Sequence, residues 1–76
     1  MIQNELIARN VISRSNQYYV VSTVRTPYGP RSFETMIFRS TASGEVEDYM
    51  DLYCDRYDYA YQAKMGHQHL VANWNP

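Results

Sequence analysis

Seventy-six residues with a formal net charge of −1 bound this chain to one small domain, residues 1–76, and give it no general attraction to nucleic acid or an anionic membrane. Hydrophobic residues at 45% and aromatics at 14% exclude a disordered chain, and no stretch approaches the roughly 20 apolar residues that cross a bilayer. One cysteine, Cys54, excludes an internal disulfide and a cysteine zinc site.

The opening segment MIQNELIARN lacks a basic stretch followed by an apolar run, so it does not read as a secretory signal, and the cytoplasm is the expected location. Leu6 to Ile12 (LIARNVI) is mildly apolar, and its periodicity leaves a short strand and a helical turn both open. Arg14–Gln17 (RSNQ) is a polar turn. Tyr18 to Thr26 (YYVVSTVRT) is the clearest strand, because β-branched and aromatic residues suit a pleated, half-buried surface. Alternation sets Tyr19, Val21 and Thr23 on one side of it and Tyr18, Val20, Ser22 and Val24 on the other.

Pro27–Pro30 (PYGP) breaks the pairing, since proline has no N–H to donate and Gly29 permits a tight turn. Ser32 to Arg39 (SFETMIFR) then runs back as a second strand. Ser40–Gly44 is a loop and Glu45–Asp51 a polar connection. Leu52 to Tyr57 (LYCDRY) reads as a third strand, with Leu52, Cys54 and Arg56 alternating against Tyr53, Asp55 and Tyr57. That alternation makes Cys54 a small buried hydrophobe.

Tyr59 to Asn73 is the predicted helix, with Asp58 placed to cap the orphan amides of its first turn. Ala60, Ala63, His67, Leu70 or Val71, and Trp74 recur at three- and four-residue spacing and form its apolar stripe. Gly66 interrupts that helix at a cost of about 1 kcal/mol relative to alanine, which is tolerated where a helix must approach a sheet closely. The expected fold is α+β: an antiparallel sheet of three to four strands with one C-terminal helix packed on a face.

Charge divides unevenly along the chain. Up to Gly44, five arginines outweigh Glu5 and Glu34; beyond it, six acids outweigh Arg56 and Lys64. Complementary solvated faces of neighbouring elements account for this, and so does a two-signed surface that orients a partner.

His67 falls on the helix stripe that should meet the sheet, so it needs a polar partner there: Glu34 first, then Tyr53 or Tyr57. The same three residue types could form an acid–base set, but a satisfied core network is the commoner outcome. The acidic run GEVEDYMDLYCDRYD lacks the spacing of an EF-hand, and no metal or cofactor is expected. Six arginines with interleaved tyrosines are compatible with stacking and phosphate pairing to a nucleotide-like ligand, but no glycine-rich phosphate loop accompanies them. Arg25, Tyr28, Arg31, Glu34, Tyr53, Arg56 and His67 are the candidate binding residues.

The order FETMIF, G-x-V, LYCDRY, A-x-x-GH and a tryptophan resembles a group of very small bacteriophage-encoded proteins. That group shares an ETM-[VI]-F strand, an LY-x-x-R-[YH] strand and an E-A-x-x-GH helix, matched here by Glu34–Phe38, Leu52–Tyr57 and Ala63–His67. Two departures are a shorter loop at Pro27–Arg31 and Gln62 in place of the acid before Ala63. The resemblance implies a phage context, hence a host-cell cytoplasm, and a small sheet-plus-helix domain; it carries no catalytic residues over. The expected function is that of a non-enzymatic phage accessory protein that binds a host or defence component. The alternative is a small-molecule sponge with an arginine- and tyrosine-lined site at an oligomer interface. A second copy of the chain and a host protein are the expected partners, with no membrane and no nucleic acid.

Overall fold

The computed structural model describes residues 3–76; Met1 and Ile2 of the N-terminal segment lie outside it. Four strands and one helix follow in chain order: β1 Glu5–Arg14, β2 Gln17–Arg25, β3 Phe33–Ser40, β4 Tyr53–Tyr57 and α1 Ala60–Asn73. The strands form one antiparallel sheet in the order β1-β2-β3-β4, and the helix packs against it. The α+β architecture read from the sequence is therefore the observed one.

The LIARNVI segment is a strand. Tight hairpin closure decides it: Ser15 and Asn16 take positive φ of 52° and 64°, the pair of values a two-residue connection needs to follow the strands' right-handed twist. Arg14 then pairs with Gln17, Ile12 with Tyr19 and Asn10 with Val21, so β1 gains its conformation from β2 rather than from its own pattern. One irregularity interrupts the ladder. Leu6 pairs with Val24 and Ala8 with Thr23, leaving Ile7 as the extra residue of a bulge.

β2 lies between β1 and β3 and is the most buried strand; Tyr19, Val21 and Thr23 share one side as the alternation predicts, and that side lies under the helix. The PYGP connection closes with the Thr26 N–H donating to Ser32 O at 2.6 Å, and Gly29 and Arg31 both take positive φ. In β3, Thr35 and Ile37 point to the helix, while Glu34, Met36 and Phe38 point away.

Between β3 and β4 the chain folds back over the face opposite the helix. Arg9 Nη2 donates to Gly44 O, and the Tyr49 ring meets Phe38 edge-on at 5.6 Å. This covers Val20 and Ser40, each only 1% exposed, and leaves the rest of that face open.

α1 begins one residue later than the sequence suggests, with Tyr59 rather than Asp58 at the N-cap. Gln62 Oε1 reaches back to accept the Tyr59 N–H at 3.1 Å. Asp58 instead faces Arg31, Oδ1 to Nε 3.8 Å. Ala63, His67 and Leu70 are buried and Val71 and Trp74 pack beside them, but Ala60 is exposed because it precedes the point where the helix meets the sheet. Gly66 lies over Tyr57; a β-carbon there would sit 2.6 Å from Tyr57 Cζ. The absent side chain is what lets the first half of the helix approach β4.

The helix–sheet layer has two chemically distinct halves. Toward the C-terminal end of α1, Ile12, Tyr19, Val21, Ile37 and Leu70 form the apolar core, with Tyr19 meeting Trp74 edge-on at 4.8 Å. Toward its N-terminal end the layer is polar and centred on His67.

Candidate binding surfaces

His67 is buried against β1 and β2 and both ring nitrogens are engaged. Nδ1 lies 2.7 Å from Thr23 Oγ1, and Nε2 lies 2.7 Å from Asn10 Oδ1. An amide oxygen can only accept, so Nε2 carries the proton and Nδ1 accepts from the Thr23 hydroxyl. Thr23 in turn pairs with Thr35. A chain of hydrogen-bonding side chains thus runs under the helix from β3 to β1. Burial holds the His67 imidazole below its usual pKa, so the neutral form that this chain requires is also the favoured one.

The expected partner of His67 is corrected by this geometry. Glu34 is one residue away from Thr35 and therefore points to the opposite face, where Oε2 meets Arg56 Nη2 at 2.7 Å. Tyr53 lies farther along β4 and directs its hydroxyl to Asp55 Oδ2 at 3.4 Å. Glu34, His67 and a tyrosine are not assembled into one set, and His67 keeps no ring nitrogen free for a substrate proton. Thr23, Thr35 and Asn10 are the residues the sequence argument missed. Two threonines on the inward side of adjacent strands were the available signal, because a hydroxyl in that layer needs a partner.

The seven candidate residues fall into three places. Glu34, Arg56 and Arg31 are neighbours at β4, where Arg31 Nη2 also donates to Arg56 O at 2.9 Å. With Tyr57 and Tyr61 the two arginines line a cleft of about 460 Å³ beside the start of α1. Their charges are already met there, by Asp58 and Glu34 respectively, and both ion pairs join the basic and acidic halves of the chain. Arg25 lies at the far end of β2 against the Phe33 ring, 5.9 Å from its centroid, and Tyr28 is exposed in the adjoining turn. Tyr53 and His67 are on the helix side without contacting each other.

A broader surface emerges on the face that the helix leaves uncovered. Val11, Val24, Met36 and Phe38 are only half-buried or exposed there, and Leu6 is 58% exposed beside them. Ser22, Val24, Met36 and Phe38 line a shallow depression of about 170 Å³, bounded by Glu34 and so by its ion pair with Arg56. Cys54 belongs to this face and is exposed, which corrects its expected burial: alternation put it on the same side of β4 as Arg56, but no described residue covers it there. Partial desolvation, then the fields of Glu34 and Asp51, push its thiol pKa up, so it stays a protonated thiol and a poor nucleophile.

No protein-family model, curated protein or solved structure matches the chain. Among the described residues, no helix is long and apolar enough to cross a membrane.

Proposed function

We propose that this chain is a non-enzymatic accessory protein, of the phage-encoded kind its motifs resemble, and that it acts by binding a protein of the host or its defences through the uncovered sheet face. The observation that carries this reading is the composition of that face. Leu6 stands opposite Val24, and Val24, Met36 and Phe38 line one depression, with the Glu34–Arg56 pair and Arg9 beside them, so apolar groups sit next to polar ones as at a binding surface. A four-stranded sheet needs only one covered face to fold, so apolar residues kept on the other serve something outside the fold.

A second reading, a small-molecule binder, draws on the cleft of about 460 Å³ that joins Arg31 and Arg56 to Tyr57 and Tyr61. One experiment separates the two. Tagged protein is recovered from infected host lysate as wild type, as Met36→Glu and as Tyr61→Ala, with bound proteins and small molecules identified by mass spectrometry. The first reading expects a protein partner lost with Met36→Glu and kept with Tyr61→Ala. A retained metabolite lost with Tyr61→Ala would replace it with the second.

A further inference from the structure

Strands in simple sequence order leave two outer edges, on β4 and on β1, and these are finished differently. On β4 the edge groups of Arg56 are taken: its N–H donates to Asp55 Oδ1 at 2.8 Å and its carbonyl accepts from Arg31 at 2.9 Å. With only five residues and these two plugs, β4 is a poor template for another strand. β1 is ten residues long, and the side-chain bond along its outer edge is Arg14 Nη1 to its neighbour's carbonyl, Ser13 O, at 2.9 Å.

We infer that β1 pairs with β1 of a second copy of this chain, antiparallel, about a twofold axis at Asn10. Charge and pleat together set that register. Arg14 stands four residues after Asn10. Counting back, the bulge at Ile7 adds a residue without adding a pleat step, so Glu5 stands four steps before Asn10 and on the same face as Arg14. A twofold axis at Asn10 therefore sets Glu5 of each copy opposite Arg14 of the other, at both ends of the paired segment. Centring the axis on Arg9 would face Glu5 with Ile12, and centring it on Val11 would face Arg14 with Ala8. Only the Asn10 register matches both charges.

Within one chain, neither charge joins an ion pair among the described residues, although Glu5 stands opposite Arg25 across the β1–β2 ladder. The two ion pairs are Arg31–Asp58 and Arg56–Glu34, and the Arg14 guanidinium touches only main-chain carbonyls, those of Ser13, Val71 and Trp74. Opposite charges facing each other across strands stabilise a pairing, and like charges oppose it. The axis is normal to the sheet, so both helices remain on one side and the two uncovered faces merge on the other into one eight-stranded surface.

Light scattering after size exclusion, with sedimentation on the full chain, tests this. Wild type should have twice the 9.0 kDa chain mass at high micromolar concentration. Glu5→Arg should weaken the dimer by about tenfold or more, and Arg14→Glu likewise. Mixing the two variants should restore a heterodimer, because each mixed pair again sets arginine against glutamate. Glu5 is exposed, so Glu5→Arg alone carries the test should Arg14→Glu fail to fold. A monomeric wild type, or a dimer indifferent to Glu5→Arg, overturns the inference. So does a dimer lost in Met36→Glu but not in Glu5→Arg, which would assign self-association to the uncovered face.

Discussion

Nε2 of His67, on the helix, lies 2.7 Å from Oδ1 of Asn10, on the outermost strand, so one imidazole ties α1 to the edge of the sheet. Its other nitrogen is tied to Thr23 on β2. Removing the ring takes one of the two partners from the buried Thr23 hydroxyl and empties part of the layer. His67→Ala should destabilise the domain by about 1–3 kcal/mol, a large share of the stability of so short a chain. Thermal and urea denaturation followed by circular dichroism measure it, and a change within error would remove the network's structural role.

The same residue predicts a pH dependence. Burial depresses the folded-state pKa of His67, while the unfolded chain titrates near the ordinary value of about 6.5. Between the two values the unfolded state binds more protons, so stability rises with pH in that window. The contribution is fully present above about pH 6.5 and is lost as pH falls from there through the folded pKa. Carboxylates add their own slope at lower pH, so the readout is a difference. Urea midpoints of wild type should fall more steeply below about pH 6.5 than those of His67→Gln, which cannot titrate. Parallel curves would show that His67 is not held neutral.

Gly66→Ala should reverse the usual sign of its kind of substitution. In an exposed helix interior the change stabilises by about 1 kcal/mol. Here the added carbon would meet the Tyr57 ring, and the overpacking should cost about 1–3 kcal/mol. Paired with Tyr57→Ala, which removes the ring, the same change should become neutral or stabilising. A double-mutant cycle in urea checks it, and additivity would mean that the helix does not depend on that close approach.

Arg56→Ala leaves the Glu34 carboxylate, whose side chain is only 11% exposed, without its cation. Because Arg56 itself is more than half exposed, the loss should be modest, about 1 kcal/mol at neutral pH. Glu34→Gln in the same chain should recover most of it by removing the stranded charge. Equal losses in Arg56→Ala and the double variant, read from urea midpoints, would show that the stranded Glu34 charge costs nothing.

Much of this architecture was legible from local pattern. β-branched runs separated by PYGP, and a stripe from Ala63 to Trp74, required strands followed by a helix, because each apolar set has only one geometry that collects it on one side. Alternation also assigned Tyr19, Val21 and Thr23 to one face of β2 and Cys54 to its side of β4. Local pattern could not say which face would be covered. Strand register set which residues share a face, and the face the helix covers set the partners of His67: one residue of offset separates Thr35, inside the layer, from Glu34, outside it. Burial of Cys54 and capping by Asp58 failed for a related reason, since covering and capping depend on what other segments bring within reach. Sequence thus determined the elements and their faces, through steric period and turn chemistry. Tertiary pairing alone decided which polar groups meet, because hydrogen bonds and ion pairs act over a few ångströms between residues up to 60 positions apart.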